Sequence, residues 1–309
     1  MSTPPVARPV LVGVDGSDGS RRAVAAGTGE ARRRHAPLRL LAVTTWPARL
    51  LPRAGGDDGG WDDGGGGRGK DLGGLVRGAT ATLLRDLAAD AADVLGADRV
   101  TWAVEDGDPV DVLAAAGADA CLLVLGARGA GGVPGLLLGS TAAGLVAAAP
   151  CPVLVLPDES AVVVRERSSV VVGIEGRRED AEVLGFAVAE AVARATPLVA
   201  VHAWRDVTLE TAFQSLGPLV DWAGVLADEE RALAEALAGW REKEPDLALR
   251  EVVVRDRAAP ALVSAAMTAE LLVVGHRHRR LLPRLGSTTS AVLQRAGCPV
   301  AVVPLGGRP

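Results

Sequence analysis

The sequence predicts an α/β protein built from two tandem, doubly wound domains, each with a five-stranded parallel sheet. Three observations predict this fold class. Short apolar runs alternate with longer helical stretches, the sequence repeats itself once with a spacing of about 150–160 residues, and 309 residues suffice for two domains of ordinary size. The sheet should be parallel because strands this apolar must be covered by helices on both faces.

Each element of the first repeat follows from its local pattern. The predicted strands are the short apolar runs at residues 9–14, 38–43, 99–105, 121–125 and 153–156. The predicted helices are the longer stretches at residues 19–35, 75–95, 109–117 and 141–149. Ligands of such sheets bind beyond the carboxyl ends of the strands, where the winding reverses, so the strands that end near Asp15 and Gly126 should flank that point.

The second half of the chain copies the first. Val12-Gly-Val-Asp-Gly-Ser17 returns as Val172-Gly-Ile-Glu-Gly-Arg177, and the sequence that begins Cys151-Pro-Val returns at Cys298. We therefore predict a first domain at residues 1–157, a linker at 158–168 and a second domain at 169–309. The two Cys-Pro-Val strands are candidates for edge-to-edge pairing, either between the halves or between two chains.

A glycine-rich insert interrupts the first repeat. Residues 55–74 contain eleven glycines and five aspartates, and such a composition cannot bury enough apolar surface to offset its ordering entropy. We predict a mobile loop between the second strand and the long helix. Its paired aspartates lack the spacing of a calcium loop, which favours a solvated tether over a cation site.

Composition excludes several classes of protein. A formal charge of -5 argues against a nucleic-acid binder with a broad basic face. No apolar run approaches the roughly 18 residues that span a bilayer, and the N-terminus lacks signal-peptide features, so we expect a soluble, cytoplasmic protein. The three cysteines have neither metal-ligand spacing nor the even number of a disulfide framework and are predicted to be buried thiols.

The most informative stretch runs from Gly126 to Thr141. It reads Gly126-x2-Gly129-x9-Gly139-Ser-Thr and lies between an apolar strand and an alanine-rich helix. Absent side chains in the loop and unpaired N–H groups at the helix N-terminus would suit a phosphate group. A glycine loop at this place can also be a plain tight connection. There is no Gly-x4-Gly-Lys-Ser/Thr loop, and no Gly-x-Gly-x2-Gly fingerprint with its later acidic residue follows the first strand.

This spacing resembles the ATP-binding signature of the universal stress protein family, which Gly126, Gly129, Gly139 and Ser140 match without a gap. The resemblance covers nearly the whole chain and implies the fold of that family, related to the adenine nucleotide alpha hydrolases. It further implies that the adenine site includes three residues of the first two strands, namely Gly13, Asp15 and Val43.

Each site residue also has a structural interpretation. Asp15 could cap the first helix, Val43 could be core, and Ser140 and Thr141 could serve only as helix-start residues. Arg128 could either add charge to the phosphates or be a solvated loop residue.

The second repeat carries the signature less faithfully. The corresponding residues are Gly275, Gly286, Ser287 and Thr288, but His278 replaces the second glycine, the loop is two residues shorter, and Glu175 replaces the aspartate. We therefore predict a weaker or altered site, which several arginines (277, 279, 280 and 284) could partly restore through their side chains. His276 and His278 lack the neighbours of a metal site and are predicted to be solvated, and His202 is taken as structural.

The resemblance implies a cytoplasmic, ATP-binding regulator of the stress response that is usually dimeric, works with a regulatory protein partner and turns over little or no ATP. Mg²⁺ would accompany the nucleotide. No set of nucleophile, base and orienting partner can be assembled from the motifs. An adenylating enzyme of related architecture is one alternative, but its Ser-Gly-Gly-x-Asp-Ser loop is absent. A nucleotide-independent interaction module is the other.

Overall fold

In the first repeat the strands and helices alternate as predicted. The computed structural model describes residues 7–45, 65–131, 138–158, 168–176, 180–204, 221–277 and 285–306, with the backbone alone for 65–72. The elements are β1 (Val10–Val14), α1 (Asp18–Arg33), β2 (Leu38–Thr44), α2 (Gly65–Leu95), β3 (Val100–Asp106), α3 (Pro109–Gly117), β4 (Leu122–Gly126), α4 (Ser140–Ala148) and β5 (Val153–Leu156). Apart from the start of α2, the bounds agree with prediction to within two residues.

The second repeat has the same order of elements. They are β6 (Ser169–Ile174), α5 (Asp180–Arg194), β7 (Leu198–Ala203), α6 (Trp222–Lys243), β8 (Leu249–Val254), α7 (Ala258–Ala265), β9 (Ala269–Arg277), α8 (Ser287–Arg295) and β10 (Val300–Leu305). The predicted fold class, α/β with tandem doubly wound repeats, is confirmed.

The two five-stranded sheets join into one. The strand order is β3-β2-β1-β4-β5-β10-β9-β6-β7-β8. Neighbours within each repeat are parallel, whereas β5 and β10 pair antiparallel, with Val155 opposite Val300 and Val153 opposite Val302. The two Cys-Pro-Val strands therefore pair between the halves of one chain, which was one of the two predicted arrangements. The winding reverses between β1 and β4, which are adjacent as expected.

The core consists of two apolar layers, one on each face of the sheet. Residues alternate between them along β1, so that Val10 and Val12 face one layer and Leu11 faces the other. Helices α1, α2, α5 and α6 cover the first face, and α3, α4, α7 and α8 cover the second. Each layer includes residues of both repeats, so the halves share their core across the β5–β10 junction.

The glycine-rich insert is partly helical, which corrects one prediction. Residues 55–64 lie outside the described part of the chain, but α2 begins at Gly65, so residues 65–74 are the first turns of a helix and not a loop. The composition argument considers what a segment could bury by itself. Here the segment extends a helix that is already packed through Leu84 and Ala91, and adding residues to an existing helix needs no new nucleation.

A buried ion-pair network joins the halves, and the sequence did not predict it. Arg34 contacts its own repeat's Glu30 (3.5 Å) and also Glu190 of the other repeat, while Arg194 contacts Glu190 and, at 2.5 Å, Glu30. Glu30 and Glu190 occupy equivalent positions on α1 and α5 and are only 2% and 3% exposed. Arg34 and Arg194 thus each bridge both carboxylates. Arg33 adds a contact to Glu30 (2.8 Å) that the second repeat lacks, because Ala193 takes its place.

Candidate functional site

A cavity of about 470 Å³ lies at the switch point, between the carboxyl ends of β1 and β4 and the N-terminus of α4. This size falls within the range of small-molecule sites. All nine predicted residues of the first repeat line it, namely Gly13, Asp15, Val43, Gly126, Arg128, Gly129, Gly139, Ser140 and Thr141. The sheet topology therefore brings together residues that lie up to 128 positions apart in the sequence.

Asp15 fixes the loop that follows β4. Its Oδ2 accepts a hydrogen bond from the amide of Ala130 (2.8 Å), and its Oδ1 accepts from the Ser17 amide (3.0 Å) and hydroxyl (2.6 Å). Partial burial opposes ionisation, but these hydrogen bonds outweigh it and hold the pKa of the Asp15 carboxyl below its usual range. The structural interpretation of Asp15 as a helix cap was wrong, because the cap of α1 is Ser17, whose hydroxyl accepts from the Ser20 amide at 3.1 Å.

The loop glycines allow close packing of backbone on backbone. A β-carbon at Gly126 would lie 2.9–3.1 Å from the backbone of Gly19, and one at Gly129 would overlap the Asp15 carboxylate. The space left by these two missing side chains is thus filled by the protein itself. The prediction that this space admits an oxyanion is therefore wrong. The direct role of Gly126 and Gly129 is to let the loop approach α1 and Asp15.

The N-terminus of α4 presents the free donors of the site. The Gly139 amide is already taken, since it donates to the Ala127 carbonyl at 2.7 Å. The next three amides, those of Ser140, Thr141 and Ala142, have no hydrogen bond within the described residues and border the cavity. A β-carbon at Gly139 would come no closer than 3.4 Å to any neighbour, so there is room beside this helix start. Three amides and the positive end of a helix make an anion site.

Arg128 is less available than predicted. Its guanidinium pairs with Asp158, at the start of the predicted linker, and Asp158 also lies 3.6 Å from Arg22 on α1. A ligand phosphate would have to compete with this carboxylate for the arginine.

Several cavity residues escaped the sequence analysis. Ser17 belongs to the Asp15-Gly-Ser17 motif, and Ser20 comes three positions later. Their closeness to Asp15 in the sequence could have indicated that they line the cavity. Leu41, Pro109, Leu113 and Leu138 form apolar walls, and nothing in a one-dimensional pattern distinguishes such leucines from core.

The second repeat has a corresponding cavity of about 490 Å³. The four predicted residues Gly275, Gly286, Ser287 and Thr288 all line it. His278 and the arginines at 279, 280 and 284 lie outside the described residues. The N-cap glycines Gly139 and Gly286 have nearly the same conformation (φ -72°, ψ 157° and φ -61°, ψ 153°), so the helix start is preserved.

The strand ends of the second cavity differ. Ser20 of the first repeat is replaced by Asp180 in the second. Asp180 is 5% exposed and accepts a hydrogen bond from the Glu175 amide at 3.0 Å. Glu175 itself lies 3.5 Å from Arg277. The second cavity therefore contains two carboxylates where the first contains Asp15 and the Ser20 hydroxyl.

Two histidines lie near this second cavity. His276 is only 5% exposed, so its prediction as a solvated residue was wrong; β9 continues to Arg277 and pairs His276 with Pro304 of β10. His202 bridges elements as a structural residue should, with Nδ1 3.1 Å from the Ile174 carbonyl and Nε2 2.9 Å from Glu229 of α6. Within the described residues no group of three or more histidine, cysteine or acidic side chains could hold a metal.

Comparison with known proteins shows which family this chain resembles in sequence and in fold. The model of the universal stress protein family matches residues 7–157 and 166–304. Universal stress protein Rv2005c of Mycobacterium tuberculosis is 34% identical, over 98% of this chain and 99% of its own. A universal stress protein from Archaeoglobus fulgidus has a similar fold, with a TM-score of 0.63 and 17% identity over 97% of this chain and 99% of that one.

One further solved structure is a universal stress protein in complex with cAMP. It is 28% identical, over 48% of this chain and 94% of that chain, with a TM-score of 0.32. In the described part of this chain, no helix has the length and apolar character that crossing a membrane requires. From the family match and the end-to-end relative, the chain belongs to the universal stress protein family.

Proposed function

We propose that this protein is an ATP-binding regulator of the cytoplasmic stress response, with a complete nucleotide site in the first repeat. One observation carries the proposal: the Asp15-anchored loop lies beside three amides at the start of α4 that have no partner among the described residues. These amides would hold the phosphates, with Mg²⁺ as their counter-ion. The apolar wall of Leu41, Val43 and Leu113 would take the base.

The geometry favours binding over turnover. The described residues around the first cavity include no histidine, cysteine or lysine. The Asp15 carboxylate, which accepts from the Ser17 hydroxyl, is engaged in holding the loop through Ala130. A cavity with this lining offers no activated nucleophile or general base for the phosphates, so we propose at most weak hydrolysis.

The second repeat would bind ATP more weakly. The helix start at Gly286 is intact, but Asp180 and Glu175 place two carboxylates at the edge of the cavity. Negative charge near a polyphosphate lowers affinity, and the Arg277–Glu175 contact offsets only part of it. Titration calorimetry should therefore find one tight site per chain, and two equal tight sites would contradict this assignment.

Nucleotide content and turnover separate the three functional candidates. The purified protein is extracted with acid and analysed for adenine nucleotides, and then assayed for phosphate and pyrophosphate release. Bound ATP with little turnover supports the regulator, pyrophosphate release supports the adenylating enzyme, and an empty protein that fails to bind added ATP supports the interaction module.

A substitution at Gly139 tests the site itself. There is space for a β-carbon at this position, so Gly139→Val should leave the fold intact while its side chain covers the exposed amides. We expect a large loss of ATP affinity with an unchanged unfolding transition. Gly239→Val is the control, because Gly239 is an exposed residue of α6 outside the cavity lining and nothing lies within 4 Å of a β-carbon there. Unchanged ATP binding in Gly139→Val would refute the proposed phosphate site.

We further propose a homodimer that signals to a regulatory protein partner. The β5 and β10 edges already pair within the chain, so two chains would have to meet through other surfaces, such as the outermost strands β3 and β8. Light scattering at micromolar concentration tests the dimer, and a strict monomer would refute it. Cell fractionation tests the cytoplasmic location.

A further inference from the structure

The second repeat carries an apolar groove. This valine groove, about 490 Å³ in volume, lies on the sheet face beside α7. Its floor consists of five valines from three adjacent strands, Val171, Val199, Val201, Val252 and Val254. Val199 and Val252 are only half-buried, so apolar surface remains open to a ligand.

The equivalent surface of the first repeat is closed by an ion pair. Strand register makes Val199 equivalent to Arg39 and Val254 equivalent to Glu105. In the first repeat Arg39 and Glu105 pair at 3.1 Å across the face. The second repeat has valine at both positions, and the valine groove results from that exchange.

One end of the valine groove is polar and has unused donors. Arg250 borders it and forms no hydrogen bond or ion pair in the structure as described. Ser169 is 8% exposed, lines the groove, and its hydroxyl also has no partner among the described residues. Ser168, Ser264 and Thr268 add further hydroxyls at the same end, where the strands begin. A guanidinium with several hydroxyls is a suitable set of donors for a planar carboxylate.

We propose that the valine groove binds a linear, medium-chain aliphatic monocarboxylate. Its carboxylate would pair with Arg250 and the hydroxyl of Ser169, and its alkyl chain would lie along the valines towards Val254. Arg250 and Val254 are four positions apart on β8, a distance of about 13 Å that suits a chain of medium length. The site is separate from the proposed nucleotide site and does not depend on it.

The far end of the valine groove sets its selectivity. Asp256 borders that end, with its Oδ1 2.6 Å from the Arg257 amide. A second carboxylate on the ligand would meet this negative charge, so a dicarboxylate of the same length should bind poorly. An alcohol of the same length should also bind poorly because it leaves Arg250 without an anion.

Titration calorimetry of the full-length protein with decanoate, below its micelle concentration, tests the proposal. We expect one site per chain, and binding at least about tenfold weaker for 1-decanol and for decanedioate. Arg250→Met, which keeps an apolar stem but removes the charge, should weaken decanoate binding by a similar factor. Arg231→Met is the matched control, since Arg231 is an exposed arginine of α6 that pairs with Asp228 far from the valine groove.

A second variant tests the apolar half of the site. Val199→Arg with Val254→Glu restores the ion pair of the first repeat and should abolish decanoate binding. Because Arg250 is exposed, Arg250→Met remains informative even if the double variant fails to fold. The proposal is overturned if decanoate does not bind, or if Arg250→Met binds it as tightly as the unaltered protein.

Discussion

The buried network between the halves supports a strong prediction about stability. Arg194→Met removes one of three guanidinium groups, the others being those of Arg33 and Arg34, that neutralise Glu30 and Glu190. The Arg194 side chain is 9% exposed and the two carboxylate side chains are each 3% exposed, so solvent cannot replace the lost charge. Breaking a buried pair in this way costs about 3–5 kcal/mol of unfolding free energy.

Two features of the network limit that loss. Burial and the neighbouring Glu30 carboxylate already raise the pKa of Glu190, so Glu190 would take up a proton when Arg194 is removed. Arg34 also remains in contact with both carboxylates. We therefore expect the lower half of the range, and we expect Glu190→Gln combined with Arg194→Met to be less destabilised than Arg194→Met alone.

The loss of unfolding free energy is measured by urea unfolding, which is monitored both by tryptophan fluorescence and by circular dichroism. The two signals must coincide before a single free energy is assigned. Arg231→Met is the control, because its partner Asp228 and Arg231 itself are more than 60% exposed (71% and 64%) and such pairs contribute at most about 1 kcal/mol. The reasoning fails if Arg194→Met and Arg231→Met lose the same free energy, or if the double variant is no more stable than Arg194→Met.

Three further predictions follow from the site and the core. Gly129→Ala should lower both stability and ATP affinity because its β-carbon overlaps the Asp15 carboxylate. Gly239→Ala on the exposed face of α6, measured beside it by thermal unfolding and calorimetry, should lower neither. The Asp15 carboxyl has a lowered pKa, so its contribution to stability is complete above the ordinary pKa near 3.8 and is lost as the pH falls through the lower pKa of the folded state. The difference in unfolding free energy between Asp15→Asn and the unaltered protein should therefore vanish in strong acid. A difference that does not depend on pH would contradict this. Burial raises the pKa of Cys151 to about 12, so a thiol reagent at pH 8 should leave this cysteine unmodified in the folded protein and modify it after unfolding, as judged by mass spectrometry.

Much of the fold could be predicted because its signals are local. The apolar runs and the repeat of Val12–Ser17 at Val172 determine element order, and parallel topology then brings Asp15 and Gly126 to one edge. The network of Glu30 and Arg34 could not be predicted in this way. Their spacing of four residues is that of an ordinary exposed helix pair, and only the β5–β10 junction buries it against the second repeat.

The site showed a similar division between local and tertiary information. The nine predicted residues around the first cavity could be found from their spacing in the sequence. The reason that Gly126 must be a glycine could not, since it packs against the backbone of Gly19, more than 100 positions earlier in the chain. His276 was misjudged for the same reason. The residues that follow it in the sequence are polar, whereas its partner across the sheet is Pro304.

The two repeats have diverged in their cavities more than at their junction. At the junction, Glu30 and Arg34 correspond to Glu190 and Arg194, and two residues that follow the helices, His35 and Ala195, share a left-handed backbone (φ 50° and 52°). A change on one side there would leave a charge buried without its partner, so the symmetric arrangement is energetically constrained. The cavities carry no such shared charge network, and there Ser20 has been exchanged for Asp180 and Arg39 for Val199. The shared junction therefore leaves the second repeat free to acquire ligands of its own, such as the carboxylate proposed for the valine groove.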